Sequence, residues 1–339
     1  MPSKPEEVLK DLQKGKYAPV YFLQGEEPFF IDQITDFIEN NALAEHEKGF
    51  NQIVMYGKDC SVNEILINAK RFPMMADRQV VIVKEAQNVA DLRKSSGEKL
   101  LGAYLQNPLP STILVFAHKY KSLDGKKSFT KELDKRAVLV KSEKIPEYKL
   151  SPWIEGYVKQ KGFTIEANAA QLLAESIGNS LDVLSNEVDK MLINFKEPVK
   201  VTANHIQQFI GISKDYNNFE LTKALSFKDL LKANKIIDHF KQNPKNNPLI
   251  PTINVLFNHF SRLLLVHANK GSSESELAAS MKVHPYFIKE YLVAAKNYPL
   301  GKVIDNIGYL QEADLRSKGI NCNWEDPEIL KELVYKIMH

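Results

Sequence analysis

Five short apolar runs in the first 145 residues, each separated from the next by a segment with helical spacing, constrain the fold more than any other feature of the chain. They lie at residues 19–24, 50–56, 80–83, 112–116 and 137–140. Hairpin strands need only a few residues between them, whereas long helical connectors belong to parallel strands joined by crossovers. The economical arrangement is therefore an α/β domain with a parallel sheet covered by helices on both faces. Its helices are expected through Phe29, Ile34, Phe37 and Ile38, then through Ile65, Leu66, Ala69 and Phe72, and over 98–106 and 129–134. Ser61 and Glu64 have the spacing of a capping box that opens the second of these helices, and Pro73 ends it.

After Pro146 the strand signals nearly vanish. Ser151 followed by Pro152 reads as a helix start. Further helices are expected over 167–177, through Leu181, Leu184, Val188, Met191, Leu192 and Phe195, and over 202–210. A domain edge is expected over 211–218, beyond which the pattern is again helical. Ser226 with Asp229 and Ser273 with Glu276 have capping-box spacing, and 243–248 reads as a loop. Residues 254–267 are apolar over so much of a helix that other helices should enclose them. Three domains follow from these shifts, at 1–145, 146–212 and 213–339, the last two all-α.

Composition narrows the classes of function. With 44% hydrophobic and 26% charged residues the chain has the balance of an ordinary soluble globular protein. A formal charge of +3 gives no global field for nucleic acid, so any DNA contact must come from a local patch. Only Cys60 and Cys322 are present, which fits a reducing cytoplasm and excludes a disulfide scaffold or a four-cysteine zinc module. The N-terminus lacks the apolar core of a signal peptide, and no stretch of about 20 apolar residues is expected to span a membrane.

The turn after the first strand is where a phosphate-binding loop would sit, at the positive end of a helix. Here Gly25 is followed by Glu26, Glu27 and Pro28, which supply two carboxylates and remove one N–H donor, while the Lys-Ser/Thr pair of a phosphate loop is missing. Neither nucleotide hydrolysis nor a bound cofactor is expected there. Glu85, where a hydrolase would place a metal-binding aspartate, reads as a solvated or capping carboxylate. The eight histidines show no metal-ligand spacing. Lys119, Lys121, Lys126, Lys127 and Lys131 form a basic run that reads either as a solvated face or as phosphate contacts.

Met74 and Met75 stand between Pro73 and the third strand, at a helix end or in the turn beyond it. Two adjacent side chains at a turn do not both reach a core easily, and the flexible thioether suits a surface that moulds to another protein. One methionine packed inward is the competing reading.

Four segments together resemble one family, the delta subunit of the bacterial DNA polymerase III clamp loader: YFLQGEEPFF at 21–30, PMMADRQV at 73–80, GNSLDVLSNEVDK at 178–190 and LQEADLRSKG at 310–319. The resemblance implies an AAA+/RecA-like α/β domain that has lost nucleotide binding, a small helical lid and a helical collar that joins the loader ring. It further implies that Met74 and Met75, where the family more often has a larger pair such as Leu-Phe, insert into a pocket of the beta sliding clamp and hold one ring interface open. Arg71 and Arg78 would flank that contact. The partners implied are the clamp, the tau/gamma and delta-prime subunits, and primed DNA. An active ATPase of the same fold and a delta-prime-like subunit are the alternatives; the second commonly carries a cysteine-ligated zinc module, for which this chain has too few cysteines.

Overall fold

A computed structural model describes residues 2–320 and 323–339, so Cys322 lies outside the described residues. The chain divides into two compact units, Met1–Ile145 and Pro146–His339.

In the first unit α1 (Pro5–Gln13), β1 (Val20–Gly25), α2 (Pro28–Asn41), α3 (Glu45–Asn51), β2 (Gln52–Tyr56), α4 (Val62–Ala69) and β3 (Gln79–Lys84) are followed by α5 (Ser95–Gln106), β4 (Thr112–Lys119), α6 (Ser128–Arg136) and β5 (Val138–Ser142). The strands form one five-stranded parallel sheet in the order β2-β3-β4-β1-β5. Because strand side chains alternate between faces, Phe22, Val81, Val83, Leu114 and Phe116 pack with α4, α5 and α6 on one side. Tyr21, Leu23, Val80, Ile82 and Val115 pack with α1 and α2 on the other. Burial on both faces is why β1, β3 and β4 read as unbroken apolar runs, whereas β2 at the sheet edge is only partly buried.

The second strand is shorter than its apolar pattern predicts. Phe50 and Asn51 belong to α3, which Glu47 opens by accepting a hydrogen bond from Ala44 N at 2.9 Å. In consequence Phe50 is 71% exposed and does not alternate into the sheet.

The second unit contains α7 (Leu150–Gln160), β6 (Thr164–Ile165), α8 (Ala167–Ile177), α9 (Leu181–Leu192), β7 (Lys200–Val201) and α10 (Ala203–Ile210). It continues with α11 (Asn218–Ser226), α12 (Leu230–Gln242), α13 (Leu249–Ala268), α14 (Glu274–Met281), α15 (Ile288–Asn297), α16 (Leu300–Ser317) and α17 (Asp326–Met338). It is not wholly helical, since β6 and β7 form a two-residue parallel pair. Two expected helix starts also differ. A turn of 3-10 helix over Glu147–Lys149 leads straight into α7, so Ser151 lies inside the helix with a buried, unpartnered hydroxyl. Ser226 ends α11 and donates to Thr222 O at 2.9 Å, while Asp229 caps α12 by accepting from Lys232 N at 3.0 Å.

By length and composition α13, with 20 residues, is apolar enough to cross a membrane, contrary to expectation. Here one face of it is core, with Leu256, Phe260 and Leu263 fully buried against Tyr298, Val303, Leu310 and residues of α17, but Phe257 and Leu265 are exposed, so the expected enclosure is only partial. Tyr298 places its hydroxyl in this core, donating to Leu225 O at 3.0 Å, with the Lys228 ammonium 4.1 Å from its ring centroid. Tyr298→Phe keeps the ring and removes one buried hydrogen bond, so it should cost about 1 kcal/mol and lower the thermal midpoint by roughly 2–4 °C, read by calorimetry.

Candidate functional site

Four side chains, Gln79, Thr112, Asn51 and Arg78, decide the course of the loop between α4 and β3. At the end of α4, Gln79 Nε2 meets the carbonyls of Asn68 at 3.2 Å, Ala69 at 3.4 Å and Arg71, and also Thr112 Oγ1 at 2.9 Å. Thr112 in turn donates to Ala69 O at 2.8 Å. Gln79 and Thr112 are buried, so they satisfy helix-end carbonyls that water does not reach. Further along, Asn51 exchanges two hydrogen bonds with the backbone of Met74: Met74 N donates to Oδ1 at 2.6 Å and Nδ2 donates to Met74 O at 3.0 Å. Asn51, 2% exposed, thus behaves like the backbone of a neighbouring strand. Finally the Arg78 guanidinium lies 5.0 Å from the centre of the Tyr17 ring, close to where β3 begins.

The apolar side chains between these pins face water. Met75 is 102% exposed, Met74 54% and Phe72 76%. Met75 also has φ 53°, in the left-handed region that a side chain with Cβ enters at a cost of about 1–2 kcal/mol. The reading in which a methionine packs inward does not describe this loop. Phe72 was expected on the apolar face of the preceding helix; α4 ends at Ala69 and leaves it outside. Phe50, next to Asn51 in the chain, is another large apolar side chain that periodicity misassigns. Arg71 is exposed, whereas Arg78 is partly covered by its stacking on Tyr17.

The turn after β1 is closed by the chain itself. Gly25 has φ 142°, and a Cβ there would stand 1.9 Å from Ser142 O, so no other residue fits. Gly25 N donates to Lys121 O at 3.2 Å and Glu27 N to Ser142 O at 3.4 Å, while Ser142 Oγ donates to Glu27 O at 2.7 Å. The Glu27 carboxylate, 5% exposed as a residue, accepts from Phe29 N at 3.2 Å, and Pro28 has no N–H to offer. The N–H groups of Gly25, Glu27 and Phe29 are therefore occupied by protein oxygens.

Of the basic run, two members are in ion pairs. Lys119 ends β4 and pairs with Asp32 at 2.7 Å and Glu85 at 3.7 Å. Burial opposes the charge of Lys119, but these two carboxylates outweigh it and raise its pKa. Glu85 therefore belongs to a charge cluster and does not cap the following turn. Lys127 pairs with Glu98 at 2.9 Å. Lys121 and Lys126 are exposed, although the backbone carbonyl of Lys121 accepts both from Gly25 N and from His118 Nδ1, the latter at 2.9 Å. Burial lowers the pKa of His118, which keeps the ring neutral at that contact.

A family model described as "DNA polymerase III, delta subunit" matches residues 21–143, and one described as "DNA polymerase III delta subunit, C-terminal domain" matches residues 215–334. The chain belongs to the DNA polymerase III delta subunit family. It is 26% identical over 293 residues to DNA polymerase III subunit delta of Bacillus subtilis, covering 84% of this chain and 83% of that protein. It is 23% identical over 225 residues to a probable DNA polymerase III subunit delta of Aquifex aeolicus, covering 65% of this chain and 63% of that one. Among solved structures, the Bacillus subtilis DNA clamp loader delta protein YqeN superposes with a TM-score of 0.55 at 23% identity, over 98% of this chain and 99% of that one, so the two share a fold.

In this delta-family chain both the closed turn and the methionine loop fall within the N-terminal match. The loop's geometry rests on Asn51, so Asn51→Ala should leave the sheet intact while amide exchange at Met74 accelerates by about tenfold or more, as two buried-side hydrogen bonds are lost. Hydrogen exchange followed by mass spectrometry reads this directly; unchanged protection at Met74 would contradict the pinning role.

Proposed function

We propose that this chain is a clamp-loader delta subunit that binds and opens the beta sliding clamp through Met74 and Met75 without hydrolysing ATP. The observation that carries the reading is a fully exposed methionine held in a left-handed conformation on a pinned loop. A free chain gains nothing from that arrangement, whereas a partner's pocket gains a projecting apolar side chain whose conformation is already fixed. Phe72 extends the same surface, Arg71 provides a rim charge that speeds encounter, and Arg78 serves mainly to anchor the loop on Tyr17.

Ring opening needs no chemistry in this chain. A subunit that binds the open clamp more tightly than the closed one shifts that equilibrium by its differential affinity. ATP on partner subunits, tau/gamma, would then govern when the loop is exposed, with delta-prime completing the ring. In this reading residues 146–212 act as lid and 213–339 as collar, Lys121 and Lys126 are the lysines free to meet primed DNA, and the protein works in the cytoplasm. The filled turn at Gly25 argues against the active-ATPase alternative.

Burial of a methionine contributes about 1.5–3 kcal/mol, so Met74→Ala combined with Met75→Ala should weaken clamp binding by about two decades or more with little change in thermal midpoint. Unchanged affinity by surface plasmon resonance would refute the site, and a collapsed midpoint would return the methionines to a structural role. A chain ending near Gly211 should still bind the clamp and fail to enter the loader, as judged by size-exclusion chromatography with the partner subunits. Normal co-assembly of the truncated chain would overturn the collar assignment.

A further inference from the structure

Within residues 146–339, side chains from α7, α8, α11, α13 and α15 and the loop before α15 surround a cavity of about 310 Å³. That volume is at the lower end of the range used for small organic ligands. Phe219, Val255 and Phe287 give it apolar walls, and Tyr291 presents a ring that stacks on His259 with centroids 5.1 Å apart.

The polar groups of this cavity are unequally satisfied. Arg262 donates to Tyr291 Oη at 3.3 Å and has no carboxylate in ion-pairing range among the described residues. Glu175 accepts from Gln171 Nε2 at 2.7 Å through Oε1, while its Oε2 is withdrawn from solvent with no hydrogen-bond partner. Burial pushes the Glu175 carboxyl up to about 7, against the pull of Arg262, so it holds its proton into the neutral range and can donate. Glu290 on α15 has its Oε1 on the Ser226 hydroxyl at 3.2 Å, and burial raises its pKa too. His259, driven down to about 3 by burial, is neutral. Toward solvent, Lys282 lies over the Tyr148 ring at 5.1 Å, His284 accepts from Tyr286 N, and Glu147 supplies a carboxylate. The guanidinium of Arg262, half-buried and drawn to Glu175 without forming an ion pair among the described residues, is left without a carboxylate when Glu175 is protonated.

We propose that this cavity binds a small aromatic carboxylate, with the carboxylate on Arg262 and Glu175 and the ring against Phe219, Phe287 and Tyr291. A guanidinium offers parallel N–H donors to a carboxylate, and the Glu175 acid hydrogen supplies a further donor. Ionised Glu175 would instead repel the ligand, so binding takes up a proton and weakens as the pH rises.

The test is titration calorimetry on the full chain with phenylacetate as probe and benzylamine as a cation of similar size. Phenylacetate should bind saturably near pH 6 and about tenfold or more weakly near pH 8.5, following the titration of Glu175. Benzylamine should not bind. Arg262→Met should abolish phenylacetate binding, and Glu175→Gln should retain it with a flat pH profile, which distinguishes Glu175 from Glu290 as the titrating group. Preference for benzylamine, unaltered binding by Arg262→Met, or no saturable phenylacetate binding at millimolar concentration would overturn the proposal. Should Arg262→Met unfold, the profile of Glu175→Gln decides: a flat one supports the site, and an unchanged pH dependence removes Glu175 from it.

Discussion

A helix that ends inside a protein must find donors for its last carbonyls, and at the end of α4 water does not supply them. Gln79 and Thr112, at the starts of β3 and β4, do so instead. The helix is thereby tied to the adjacent edges of two parallel strands, and the intervening residues have no freedom to continue it. Phe72, Met74 and Met75 are exposed because these interior bonds fix where the chain leaves the helix and where it joins the sheet. The apolar surface is a product of buried polar chemistry.

The same economy governs the turn after β1. A parallel sheet places helix N-termini at one end of its strands, and such ends attract anions when left open. In this chain the carbonyls of Lys121 and Ser142 take the donors, and the carboxylate of Glu27 takes another. What remains is a rigid corner joining β1, β5 and the segment after β4. The local electrostatics of this turn serve internal cohesion.

Much of this was legible in the sequence. Buried parallel strands show as continuous apolar runs, and Pro28 marks the first turn of the helix that follows Gly25. The capping pairs at Ser61 and Ser273 form as their spacing predicts. Misreadings arise where tertiary contacts override a local pattern. Phe50 and Phe72 fit apolar periodicities but lie beyond the elements that those periodicities suggest, because α3 extends to Asn51 and α4 stops at Ala69. Ser226 has the spacing of a cap yet is buried in a network with His259 and Glu290, residues far away in sequence. Nothing local announces that Asn51 reaches Met74, or that Glu175 and Arg262 line one cavity; both pairings depend on the packing of distant segments.

The paired bonds between Asn51 and Met74 have a polarity. One terminus of the side chain must accept and the other must donate, at the length of a single methylene, and among the common side chains only asparagine provides both. Substitution by aspartate keeps the length of the side chain, yet it replaces the donor with a carboxylate oxygen facing the carbonyl of Met74. The loop's hold on the sheet thus depends on which end of one amide carries the hydrogens.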